Sequence, residues 1–128
     1  MVNGFLPRWD QAYPALIKDL AERGLLQSTL VLAWGEFGRT PRVNKDRGRD
    51  HYPNVFSAAI AGGKISGGQS LGASDAKGAF PKDTPIQPQD VLATVYDHLG
   101  VDPHKEYLDH AGRPIRTLPY GRVLSELM

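Results

Sequence analysis

Two short segments hold most of the residues whose types could do chemistry. The first, Gly35-Glu36-Phe37-Gly38-Arg39-Thr40-Pro41, places a carboxylate and a guanidinium three residues apart among glycines. Glycine lets the backbone turn sharply and approach a ligand closely. A carboxylate can ligate a hard cation, and Arg binds phosphate or sulfate through paired donors. The second segment, Gly48-Arg49-Asp50-His51-Tyr52-Pro53, sets an acid beside an imidazole. Such a pair supplies two metal ligands, or one ligand and the group that orients it. Plainer readings stand beside these: a strand-to-loop turn with solvated charges, and a hydrogen-bonded surface histidine.

Between them lie Arg39, Arg42, Lys45, Arg47 and Arg49 against the single acid Asp46. A nucleic-acid patch would interleave aromatic side chains for base stacking, and none occurs here. A small tetrahedral oxyanion fits such a cluster better, with Arg39 and Arg49 as its candidate holders, and a solvated loop fits equally well. The other histidines are weaker candidates. His98 falls near a predicted helix C-terminus, where it complements the dipole, while His104 and His110 fall in polar turns. Asp75 reads as a turn residue. The chain shows no nucleophile elbow, phosphate-binding glycine loop or paired-histidine helix motif.

The elements that must position these residues follow from periodicity. Ala12, Leu16, Ile17, Leu20 and Ala21 recur at helical spacing and predict a packed helix over 9–23, closed by Gly24 in a left-handed cap. Ser28 to Trp34 is a nearly continuous apolar run, the pattern of a strand covered on both faces in a parallel α/β sheet. In open α/β sheets ligands collect beyond the carboxyl ends of strands, which is where Glu36 and Arg39 fall. A second strand is predicted over 55–61; running antiparallel to the first, it would return His51 to the same sheet edge. A hairpin around Gly67-Gly68, an irregular stretch over 72–88 and a helix over 88–99 complete the middle. The tail holds a turn at 111–114, an extended piece and a helical stub over 121–127.

The bulk numbers narrow the classes. A chain of 128 residues builds one domain with a core. The formal charge of +1 creates no global field toward nucleic acid or an anionic membrane, so neither is an expected partner. The absence of cysteine excludes a disulfide scaffold and thiolate metal sites. With 14 Gly and 10 Pro, much of the chain must be turns and shaped loops. No apolar run is long enough for a membrane span, and residues 1–8 lack a basic region followed by an apolar stretch, so the default compartment is the cytoplasm.

Taken in order, Asp19-Leu20-Ala21-Glu22-Arg23-Gly24-Leu25-Leu26, Thr29-Leu30-Val31, Gly35 to Pro41, Gly48 to Tyr52, Ala61-Gly62-Gly63, Gly72-Ala73-Ser74-Asp75 and Pro88 to Thr94 resemble the C-terminal part of a bacterial sulfatase-like family of unknown function in the alkaline phosphatase superfamily. The resemblance covers nearly the whole chain. It implies part of an alkaline phosphatase-like three-layer sandwich, with a mixed sheet and flanking helices. It also implies a hydrolase of phosphate or sulfate esters that depends on divalent metal: zinc, calcium or manganese. The superfamily's Asp-His-Gly motif corresponds to Glu36-Phe37-Gly38, where Glu36 can be a ligand and Phe37 cannot. His51, in Asp50-His51-Tyr52-Pro53, resembles the superfamily's late metal-binding histidine, with Asp50 a further candidate ligand, and Arg39 and Arg49 would be candidates to hold the anion. The nucleophile and further ligands of such enzymes belong to an N-terminal part, so the chain is expected to be a fragment or remnant, inactive alone. Relatives often carry export signals, which would place the intact protein outside the cytoplasm. The alternative is a non-catalytic module that binds a partner or associates with itself through an exposed apolar surface.

Overall fold

A computed structural model describes residues 4–128. The elements are α1 (Phe5–Glu22), β1 (Leu30–Trp34), β2 (Gly38–Arg39), β3 (His51–Tyr52), β4 (Ala58–Gly62), β5 (Ala73–Ser74), β6 (Pro81–Asp83), α2 (Pro88–Leu99), β7 (Glu106–Leu108), β8 (Pro114–Arg116) and a final 3₁₀ turn, Ser125–Leu127. Among the described residues this is a small mixed α/β domain of two helices and four antiparallel strand pairs: β1–β4, β2–β3, β5–β6 and β7–β8. No described helix is long and apolar enough to cross a membrane.

The apolar run over 28–34 does form a strand, but not the expected parallel one. β1 pairs antiparallel with β4, from Leu30 opposite Gly62 to Trp34 opposite Ala58. Its residues are half-buried and Trp34 is exposed, so neither face is fully covered. A continuous apolar run specifies burial but carries no information about strand direction. Leu32 and Ile60 form a cross-strand pair, and both pack against the small core of Val91, Leu124 and Leu127, joined by Ile65, Leu71 and Ile86.

α2 supplies the core's main wall, and its boundaries follow local chemistry. Pro88 occupies the first turn, where the missing N–H costs nothing. Asp90 accepts the Gln87 N–H at 2.9 Å, and Gly100 closes the helix at φ 68°. The second Asp90 oxygen accepts the Arg122 N–H at 2.9 Å, tying the tail to the helix. Thr94, fully buried, donates to the Asp90 carbonyl at 2.8 Å and accepts the Leu124 N–H at 2.9 Å.

α1 departs from expectation at its start and in its surroundings. It begins at Phe5 and carries Pro14 inside, although it closes as predicted, with Gly24 at φ 69°. None of its residues is buried, and Phe5, Leu6, Trp9 and Leu16 are exposed. An amphipathic pattern states that a helix has an apolar face; it cannot state that a surface in the same chain covers it.

Residues 64–71 form no hairpin. Ile65 and Leu71 pack on the core instead, and the Ser66 N–H donates to the Leu127 carbonyl at 2.7 Å. The hairpin that does form, β5–β6, lies in the stretch expected to be irregular. Asp75 builds its turn by accepting the N–H groups of Lys77 and Ala79 at 3.1 and 2.8 Å. β7–β8 closes around the predicted turn at 111–114, and the terminal stub is helical only over Ser125–Leu127.

Candidate functional site

Residues 35–57 leave and rejoin one strand pair. The last rung of β1–β4 is Trp34 opposite Ala58, and farther out Gly38 faces Tyr52 and Arg39 faces His51. The Thr40 N–H then donates to the Asp50 carbonyl at 3.0 Å. The excursion is thus a nested antiparallel arm that brings the Asp-His segment back alongside the Glu-Phe-Gly-Arg segment. Gly38 is required where the arm passes residues 55 and 56: a Cβ there would collide with the Val55 carbonyl and lie 3.3 Å from the Phe56 Cβ.

The tip of the arm is organised by Asn44. Its side-chain oxygen accepts the N–H groups of Asp46 and Gly48 at 3.0 and 2.9 Å, and its amide donates to the Asp50 carboxylate at 2.8 Å. The Asp50 N–H donates to the Thr40 hydroxyl at 3.1 Å. Asp50 is therefore held at both backbone and side chain, with one carboxylate oxygen engaged by the amide.

His51 is exposed, yet its ring is not free. The Phe37 ring stacks on it at a centroid distance of 3.9 Å and an interplanar angle of 25°. The Arg39 guanidinium carbon lies over the same Phe37 ring, 5.7 Å from its centroid. Stacking occupies a face of the imidazole; its nitrogens lie in the ring plane and keep their bonding capacity. Arg39, Phe37 and His51 thus form one cluster on the arm, joining a cation to an imidazole through an aromatic ring.

The remaining candidates fall around this cluster. Glu36 sits exposed in a bend before β2, adjacent in the chain to Phe37. The ring that meets His51 thus belongs to residue 37, beside the carboxylate of residue 36. Arg39 also donates to the Arg49 carbonyl at 3.3 Å. Arg49 donates to the carbonyls of Thr40, at 2.7 Å, and Pro41, which makes it a clamp on the arm. Among the described residues no three His, Cys, Asp or Glu side chains group as a metal site. A tightly held catalytic metal normally takes three protein ligands or more, so the arm's residues by themselves would hold a cation only weakly.

The sequence pointed to Glu36, Arg39, Arg49, Asp50 and His51 and missed Phe37 and Asn44. Asn44, four residues before a glycine, carries the mark of a side-chain-closed turn and could have been found. Phe37 could not, because its role depends on the cross-strand register. Of the other histidines, His98 packs against Gly63, whose Cβ would lie 2.6 Å from the imidazole Nδ1, so its place is structural.

Fold and site together define a small mixed α/β domain with a polar antiparallel arm. The chain belongs to a family of proteins of unknown function (DUF1501), whose model matches residues 2–128. No curated protein and no solved structure matches it. The expectation of a family of unknown function holds, but its placement with the sulfatase-like proteins of the alkaline phosphatase superfamily is overturned. The family matched across the chain is one of unknown function, and nothing links it to that superfamily.

Proposed function

We propose that this chain contributes part of the site of a metal-dependent phosphoester or sulfoester hydrolase and is inactive alone. The observation that carries the reading is the pairing of Arg39 with His51. It sets a guanidinium suited to oxyanions opposite an imidazole with metal-binding capacity, while Glu36 and Asp50 neighbour Phe37 and His51 in the chain. Zinc, manganese or calcium would be held by His51 with those carboxylates, and further donors would come from another polypeptide surface. When bound, the metal would polarise an ester oxygen. The chain's own share is to hold Asp50 and His51 on the hydrogen-bonded arm and to offer Arg39 to the anion.

The test is thermal unfolding of the full chain with rising zinc or manganese. A ligand that binds only the folded state raises stability with concentration. The expected outcome is a metal-dependent rise in Tm that His51→Ala abolishes and Glu36→Gln reduces. An unchanged Tm at every metal concentration removes this reading.

The exposed apolar side chains of α1 favour a second reading, a non-catalytic module that assembles with a partner or with itself. Phe5 is 85% exposed and Leu6 55%, and Trp9 stacks on Tyr13 at 4.8 Å as a flat aromatic surface. Sedimentation should show concentration-dependent association that Trp9→Glu weakens. A monodisperse monomer that buries no added surface with any partner counts against it.

A further inference from the structure

We infer that Phe37 is a positioning residue, whose ring orders the His51 imidazole across the strand pair from Arg39 so that both serve one oxyanion. The inference rests on the reading that the arm carries a site, and it concerns binding without metal.

Residues 37 and 39 are two apart, so in extended chain they share a face, and residue 39 lies directly opposite residue 51. The stacked ring at 3.9 Å and the guanidinium at 5.7 Å both meet Phe37. An exposed imidazole on a two-residue strand would otherwise sample several rotamers, and each must be given up on binding. The stack removes that freedom beforehand and leaves the in-plane nitrogens for a ligand. Arg39 spends one nitrogen on the Arg49 carbonyl, which holds its plane while its other N–H groups remain for the anion. A phenyl group cannot ligate or transfer a proton, so its contribution is geometric.

The experiment is proton and nitrogen NMR of the full chain during titration with inorganic phosphate. The wild type should show His51 ring protons shifted upfield by the Phe37 ring current, and phosphate should move the His51 and Arg39 side-chain signals together. Phe37→Leu should lose the ring-current shift and weaken phosphate binding by about two- to tenfold, the cost of ordering one side chain on binding. Phe37→Tyr, which retains the aromatic face, should restore both. The wild-type ring-current shift tests the stack even where the leucine variant does not fold. Identical His51 signals with and without the aromatic ring overturn the inference, as does phosphate binding that is equal in both proteins or absent from wild type. Zinc-dependent stability in the same samples separates the two ideas. A zinc effect that survives alongside a phosphate failure sinks this inference alone, whereas loss of the zinc effect sinks the hydrolase reading.

Discussion

Asn44 donates from its side-chain amide to the Asp50 carboxylate at 2.8 Å while its oxygen holds two backbone N–H groups of the intervening turn. One uncharged side chain therefore shapes the tip of the arm and orients the acid next to His51. Asn44→Ala should expose the Asp46 and Gly48 amides to rapid hydrogen exchange. Because the tip is exposed, global stability should fall by only about 1 kcal/mol. Undiminished protection of those two amides would show that the turn is held by other means.

The core makes a stronger demand at Thr94. Its hydroxyl accepts the buried Leu124 N–H, so Thr94→Val leaves that donor without a partner. The expected loss is about 1–3 kcal/mol in urea unfolding. Thr94→Ser keeps the acceptor and should lose only about 1 kcal/mol, for one buried methyl group. Equal destabilisation by both variants would assign the role to packing rather than to the hydrogen bond.

Gly62 ends β4 at φ 86°, and a Cβ there would press on the Thr29 carbonyl and lie 2.8 Å from that of Leu26. Both obstacles are backbone, so they cannot swing aside. Gly62→Ala should therefore cost more than about 1 kcal/mol. Gly67, with nothing within 4 Å of its Cβ position, is the matched control and should accept alanine with little change. Thermal melts of the two variants make the comparison.

The β7–β8 turn should be acid-sensitive. The Arg113 backbone N–H, then its guanidinium and the Ala111 N–H, hold the Asp109 carboxyl below its ordinary value of 3.8. A carboxyl depressed in the folded state stabilises it above the unfolded value, and that contribution is lost as pH falls through the folded one. Exchange protection at Ala111 and Arg113 should thus persist at neutral pH and fade only below about 3.8. Asp109→Asn should flatten this dependence. Fading that begins near neutral pH would point to a different group.

Much of the local structure was legible because its causes are local. Pro88, Asp90 and Gly100 define α2 by capping chemistry, Gly24 closes α1, and the turn at 111–114 follows from its own residues. Candidate site residues could be named because a carboxylate, an imidazole and guanidinium groups keep their chemistry in any fold. The hairpin near Gly67 was misplaced because Ile65 and Leu71 gain more by covering the core than by pairing with each other.

By itself, the sequence determined where the two helices stop, that a turn falls at 111–114 and which side chains could meet an anion or a metal. Tertiary structure decided how they meet. It set β4 antiparallel to β1, so that the chain returns on itself, and it chose the register that puts Arg39 opposite His51 and the Phe37 ring against the imidazole. It also left much of the apolar face of α1 exposed. Caps and turns are settled by interactions within a few residues of one another. Strand direction, register and the covering of an apolar face depend on contacts between segments far apart in the chain, and hydrophobic pattern does not encode which partner wins.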